Sequence, residues 1–195
     1  MVYGSEIILA SASPRRRRIL EEAGIPFAVL ESRYAEDLSL PLPPAELARH
    51  IARGKAREVA ARRPQAAVLA ADTLVVLQGA VLGKPADPGE ARRMLRALSG
   101  RAHTVITGFA VVVPGGREIV RSVESTVRFR PLSGEDIEEY VRSGEPLDKA
   151  GAYGIQERGA ALVEGVQGDF LNVVGLPLGA VKQALRELGL IAPSD

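Results

Sequence analysis

Three short runs hold the residues whose types and spacing could do chemistry. Asp72-Thr73 closes the apolar run 66–71, AAVLAA. A carboxylate at the end of such a strand stands where α/β proteins place ligands, and it can hold Mg2+ or take a proton from water. The same position equally suits an aspartate that caps the following loop. Lys84, set between Gly83 and Pro85, is a positioned charge that could meet a phosphate. Upstream, residues 10–20 read ASASPRRRRIL, a Ser-Pro pair followed by four arginines. Free amides and the dipole at a helix start favour an anion there, and arginine adds forked donors for phosphate. Four adjacent helical positions sweep about a full turn, so they cannot all face one ligand. Arg15 and Arg16, nearest the start, are the candidates, and Arg17 and Arg18 are expected in solvent. A solvated helix start merely decorated with arginines is the competing reading, and no GxxxxGK[ST] or GxGxxG run names a ligand.

Two further stretches bear on chemistry. Glu36, in the polar segment Tyr34-Ala35-Glu36-Asp37, is either a second metal ligand or an ordinary loop residue. Residues 144–156, GEPLDKAGAYGIQ, set polar groups densely among glycines without an amphipathic period. Such a loop is costly to order for structure alone, which favours a functional role. Asp148-Lys149 could form a local ion pair, and Gln156 offers an amide suited to a base edge. His50 and His103 stand without partners at metal-ligand spacing, and His103, which opens a predicted strand, reads as structural. The serines lack the His/Asp set of a triad, which argues against covalent acyl chemistry.

Alternating strands and helices must position these groups. Residues 6–10 (EIILA) and 26–30 (PFAVL) read as strands, separated by a helix that Ser13-Pro14 starts and Gly24 closes. A Pro-rich link at Pro41, Pro43 and Pro44 leads into a long helix with Leu47, Ile51, Lys55 and Val59 near one face. The strand 66–71 is expected to stop at Asp72-Thr73, with a small hairpin across Gln78-Gly79 after it. Asp87-Pro88-Gly89-Glu90 reads as a capping box opening a helix that Gly100 ends. Segments 103–113 and 117–129 make a long hairpin, Ser133 starts another helix, and a last helix runs from about Pro177 to Leu188. The expectation is a single α/β domain over residues 1–195 with a mixed sheet, arranged as two lobes around a cleft.

Composition narrows the function classes. Twenty-five Lys and Arg oppose 24 Asp and Glu, for a formal charge of +1. A nucleic-acid binder usually carries a clear basic excess, so a local pocket is expected and a nucleic-acid partner is not. The 195 residues contain no cysteine, which excludes disulfides, zinc-thiolate sites and thiol catalysis. The apolar part of the opening MVYGSEIILAS is too short for a secretory signal, and nothing approaches the roughly 18 apolar residues of a membrane span. A soluble cytoplasmic protein without a membrane partner is the expectation.

Taken in order, these motifs resemble the Maf family of nucleoside triphosphate pyrophosphatases. The resemblance rests on Leu9-Ala10-Ser11-Ala12-Ser13-Pro14-Arg15-Arg16, Ala71-Asp72-Thr73, Gly83-Lys84-Pro85, Leu98-Ser99-Gly100 with His103, the run from Asp148 to Gln156, and Asn172-Val173-Val174-Gly175-Leu176-Pro177. It implies a fold similar to inosine triphosphate pyrophosphatases, frequent homodimers, and hydrolysis of a nucleoside triphosphate to monophosphate and pyrophosphate with Mg2+ or Mn2+. The run DKAGAYGIQ looks like that of the branch acting on dTTP and UTP. By the same resemblance Asp72 is the proton acceptor; Arg15, Thr73 and Gln156 tune substrate choice; and Ser13, Arg16, Glu36, Lys55 and Lys84 line the site. Glu36 and Asp72 are the expected metal ligands. A nucleotide-binding regulator of septum formation, without turnover, is the alternative the family suggests. Three positions depart from the family pattern: Ala12 and Glu157 stand where glycine is usual, and Gly54 where an acidic residue is frequent.

Overall fold

A computed structural model describes residues 6–192, so the opening residues of MVYGSEIILAS lie outside the described residues. The elements follow the order β1 (Ile7–Leu9), α1 (Pro14–Glu22), β2 (Ala28–Val29), α2 (Pro44–Arg62), β3 (Ala67–Leu77), β4 (Ala80–Leu82), α3 (Pro88–Leu98), β5 (Ala102–Val112), β6 (Glu118–Phe129), α4 (Gly134–Arg142), β7 (Val163–Gln167), α5 (Phe170–Val174) and α6 (Leu178–Glu187). One mixed sheet has the order β2-β1-β3-β5-β6-β7, with β4 paired to β3. β1 runs parallel to β2 and β3, whereas β3 with β4 and β6 with β7 are antiparallel. The expected mixed-sheet α/β class is what the chain adopts. No helix among the described residues is long and apolar enough to cross a membrane.

The chain forms two compact units, and β3, β5 and β6 contribute residues to both. The first comprises Met1–Asp72, Thr107–Val123 and Gly175–Asp195. Its α2 buries Ala52, Ala56 and Val59 against Ile8, Ala10, Val68, Ala70, Ala110 and Val112. These small and β-branched side chains let a helix lie close on strands. Gly108 marks the tightest approach, because a Cβ there would run into the backbone of Ala48 and Arg49. The second unit comprises Thr73–Ile106 and Glu124–Val174. Its core joins Leu95 and Leu98 of α3, Ile137, Tyr140 and Val141 of α4, and Phe129 with Tyr153.

Local signals act where the sequence places them. Ser13 caps α1, its hydroxyl accepting from the Arg16 amide at 3.4 Å with Pro14 next to it, and Gly24 follows the helix at φ +66°. Ser133 and Asp136 form a complete capping box on α4. At α3 the expected box is altered. Asp87 accepts from the Glu90 amide at 2.8 Å, but the Glu90 carboxylate reaches back one residue further, to the Ala86 amide at 2.7 Å.

The expected end of the strand at Asp72-Thr73 is a correction. β3 runs through both residues to Leu77, because it pairs with β1 over Ala67–Leu69 and with β4 over Val75–Leu77. Ladder partners at each end carry the extended backbone across the polar pair, which a sequence reading takes for a break. The strand expected over 26–30 shortens to Ala28–Val29, and α5 was not anticipated. In the polar stretch 144–162 the chain takes short 3-10 turns over Glu145–Asp148, Ala150–Ala152 and Glu157–Leu162.

Candidate active site

Strand parity puts Asp72 on the α2 side of the sheet. Side chains alternate along a strand, and Ala70 and Val68, two and four residues earlier, already face α2. Lys55 lies on α2 beside the buried Ala52 and Ala56. Its ammonium therefore meets Asp72, with Nζ 2.7 Å from Oδ1. The same ammonium is 2.6 Å from Glu36 Oε1. Lys55 and Asp72 side chains are only 11% and 9% exposed, so water screens their attraction little. Glu36, at 45%, reaches in from the surface. Two carboxylates thus converge on one cationic point.

Arg16 joins them from the start of α1. Its Nε donates to the Gly175 carbonyl at 2.8 Å, and Nη1 donates to Ser11 Oγ at 3.2 Å. Ser11 Oγ also accepts from the Ser13 amide at 3.2 Å, so one buried hydroxyl organises both the cap and the arginine. Burial lowers the Arg16 pKa from its ordinary value, and Arg15 adds to the lowering, while Asp72 and Glu36 oppose it. Arg17 and Arg18 are exposed, and Arg18 pairs with Glu22 across one turn at 2.8 Å. Arg17 and Arg18 thus lie in solvent as expected, and Arg15 and Arg16 are half-buried. Ala12 keeps an ordinary negative φ, so the glycine usual there is not needed.

The segment carrying Glu36 lies along α2. Arg62 Nη2 donates to the Glu31 carbonyl at 2.7 Å. The Ser32 hydroxyl and Arg33 amide donate to Glu58 Oε2 at 3.0 and 2.9 Å. The Arg33 amide, followed by Ser32 and Arg62, holds the Glu58 carboxyl below its usual pKa against the opposing effect of desolvation. The Tyr34 ring fills the space over Gly54, where a Cβ would collide with it, and its hydroxyl is 3.2 Å from His50 Nε2. His50, which has no partner at metal-ligand spacing in the sequence, is thus a hydrogen-bond partner of Tyr34.

The remaining site candidates belong to the second unit. Thr73 is half-buried in β3 and Lys84 is exposed after β4. The Gly83 carbonyl accepts from the Gly151 amide at 3.0 Å, which joins the Gly-Lys-Pro turn to the Asp148–Gln156 run. Gly151 has φ +69°, and a Cβ there would meet Val75 at 2.8 Å, so glycine is required twice over. Lys149 Nζ donates to Asp148 Oδ1 at 2.7 Å and to the Glu145 carbonyl at 2.8 Å, which makes the expected local ion pair. Tyr140 OH accepts from the Gly154 amide at 3.0 Å and donates to Glu145 at 3.0 Å. Gln156 is exposed just beyond this network. Glu157, where glycine is usual, sits at φ +56°, the region that favours glycine.

His103 is structural, as its place at a strand start suggested. It is 3% exposed, lies 2.7 Å from Tyr153 OH through Nε2, and packs edge-on to Phe129 and Tyr153. Desolvation depresses its pKa to about 4. Asn172 is fully buried and donates to the Val105 carbonyl at 3.0 Å and Ser125 Oγ at 2.9 Å. Ser11, Gly175, Tyr34 and His50 were missed as contributors. Ser11 and Gly175 lay within the quoted motifs, but the acceptor that each offers to Arg16 becomes visible only once the chain is folded.

The sequence profile of Maf-like proteins matches residues 6–188. The chain belongs to the Maf-like family. A Moorella thermoacetica protein named dTTP/UTP pyrophosphatase is 55% identical to this Maf-like chain over 187 residues, covering 95% of it and 96% of that protein. Proteins of the same name from Symbiobacterium thermophilum and Deinococcus radiodurans are 53% and 50% identical, covering 94% and 95% of this chain and 94% of each of those proteins. A solved HAM1 protein from Coxiella burnetii shares the fold, with TM-score 0.52 and 18% identity over 94% of this chain and 100% of that one.

Proposed function

We propose that this Maf-like chain hydrolyses dTTP and UTP to the nucleoside monophosphate and pyrophosphate. The observation that carries the reading is the convergence of Glu36 and Asp72 on the Lys55 ammonium, with Arg16 within electrostatic reach of both carboxylates, at the positions the family motifs designate. Relatives near 50% identity that bear the name dTTP/UTP pyrophosphatase support the substrate class. The family match over 6–188 supports treating the whole chain as one catalytic domain.

The donor set fits a divalent cation of the Mg2+ or Mn2+ kind. Two hard carboxylate oxygens already share one cation, and such ions commonly take one or two carboxylates and complete their shell with water and phosphate oxygens. Glu36 and Asp72 would hold it, and when bound it would offset the triphosphate charge and polarise the α-phosphorus. Lys55 holds Asp72 Oδ1, which fixes the orientation of the carboxylate and leaves Oδ2 to take a proton. In the step itself a water oxygen bonds to the α-phosphorus, the bond from that phosphorus to the bridging oxygen breaks, and Asp72 receives the proton of the water. Pyrophosphate leaves with the bonding electron pair. Arg15 and Arg16, beside the capped start of α1, bind phosphate oxygens and stabilise the leaving group. Lys84 is assigned to the phosphates, and Thr73 and Gln156 to the pyrimidine, by the motif match. A cytoplasmic homodimer without nucleic-acid or membrane partners completes the reading.

The test is a nucleotide panel with separate pyrophosphate and orthophosphate readouts, with and without Mg2+ or Mn2+. Pyrophosphate from dTTP and UTP, lost on chelation, is expected. Release of single orthophosphate, or binding with no product over hours, overturns the assignment. Asp72→Asn is expected to abolish turnover with the fold intact, and near-normal activity would remove Asp72 from its role.

A further inference from the structure

Glu36 is held by Lys55, but no helix or strand runs through it: residues 30–43 lie between β2 and α2. What orders that segment is a stripe on α2 at four-residue spacing, His50, Gly54, Glu58 and Arg62, which forms a single helical face. The segment runs along the stripe in the opposite direction. Glu31 meets Arg62, Ser32 and Arg33 meet Glu58, and Tyr34 meets Gly54 and His50. Beyond Glu36, the Ser39 amide and hydroxyl both donate to Asp37 Oδ1, at 2.9 and 2.6 Å, which closes the segment in a turn. Three of these rungs are exchangeable hydrogen bonds near the surface. The fourth is steric, because the Tyr34 ring occupies the volume that any larger residue at position 54 would need.

We propose that Tyr34, seated in the slot left by Gly54, is the positioning residue that holds Glu36 against Lys55 and so sets the cation affinity of the Glu36–Asp72 pair. The proposal rests on the assignment of those two carboxylates to the cation. It also gives Gly54 a role. Where the family frequently places an acidic residue, this chain has exchanged a side chain on α2 for an aromatic ring that docks the neighbouring segment. Gly54 is one residue before Lys55 and Tyr34 two before Glu36, so the contact fixes both backbones next to the ion pair. The colliding atoms belong to the outer part of the Tyr34 ring, so on adding a methyl group the ring yields and the helix stays.

The test uses the full chain with Gly54→Ala, Tyr34→Ala, Tyr34→Phe and Glu36→Gln. Two readouts need no turnover: Mn2+ titration followed by electron paramagnetic resonance, and amide hydrogen exchange across residues 31–36. Gly54→Ala is expected to weaken Mn2+ binding by about tenfold or more, the scale for losing a group that orients a metal ligand. It should also speed exchange at Arg33 and Tyr34, with the thermal midpoint unchanged or raised because alanine favours helix. Adding Tyr34→Ala or Glu36→Gln to Gly54→Ala should weaken binding no further than that second change does alone. Tyr34→Phe, which keeps the ring, should stay near wild type. Unchanged Mn2+ binding and exchange in Gly54→Ala would overturn the proposal, as would effects of Gly54→Ala and Glu36→Gln that multiply. A wild-type chain that binds no Mn2+ would instead overturn the cation assignment, and the affinity claim with it.

Discussion

Removing the Lys55 ammonium by Lys55→Met is the most informative perturbation of this chain. Asp72 is 9% exposed and its Oδ1 is 2.7 Å from Lys55 Nζ, so the substitution strands a nearly dry carboxylate. Breaking a buried pair from one side costs about 3–5 kcal/mol. Glu36, at 45% exposure, adds little to that figure, since surface pairs contribute about 0–1 kcal/mol. For a chain of this length each kcal/mol moves the thermal midpoint by about 2–4 °C, so a fall of roughly 6–20 °C is expected in chelator. The assay is a circular dichroism melt of wild type, Lys55→Met, Asp72→Asn and the double variant. Lys55→Met/Asp72→Asn should recover most of the loss, because the buried carboxylate left without its ammonium is then neutral. Mn2+ should raise the midpoint of Lys55→Met more than that of wild type, since a cation can then take the place of the ammonium. A single variant melting within about 2 °C of wild type, or a double variant as unstable as the single, would refute the reasoning.

Glu157→Gly should stabilise the chain by about 0.5–1 kcal/mol, because φ +56° costs an L-residue more than the entropy glycine loses on folding; a lower denaturant midpoint would count against it. Gly108→Ala should destabilise by about 1–3 kcal/mol, since the new methyl meets the Ala48 and Arg49 backbone and α2 must move off the sheet; an unchanged melt would show that the contact has slack. His103 supplies the pH prediction. Its folded pKa of about 4 lies below the usual 6.5, so the unfolded chain binds a proton first as pH falls. The stability it contributes is therefore complete above pH 6.5 and declines between 6.5 and 4, by up to about 3 kcal/mol. His103→Gln should flatten that part of a denaturation-midpoint profile, and an identical acid limb in the variant would refute the assignment.

Local chemistry was readable residue by residue. Ser13-Pro14, Ser133 with Asp136, and Gly24, Gly100 and Gly144 mark helix ends because caps and positive φ depend on the residues immediately around them. Distance from the helix start likewise pointed to Arg17 and Arg18 as the solvent-facing pair, and both are exposed. The end of β3 was not readable. Asp72-Thr73 has the composition of a loop, and pairing of β3 with β1, β4 and β5 in the sheet keeps it extended. The bonds of Glu90 followed the same pattern: the motif was right, and the amide that donates to its carboxylate shifted by one residue, from Asp87 to Ala86, with the local backbone.

By itself the sequence determined the alternation of elements, the mixed α/β class and the set of motifs that mark a Maf-like chain. These depend on periodicity, caps and residue identity, all of which act over a few positions. Only the tertiary structure decided that one ammonium serves both Glu36 and Asp72, that Gly175 and Ser11 steer Arg16, and that Tyr34 rests where Gly54 has no side chain. Those partners lie up to 159 positions apart. Their meeting is set by the strand parity of β3 and by the seating of α2 on the sheet at Gly108, and no short window of sequence contains either.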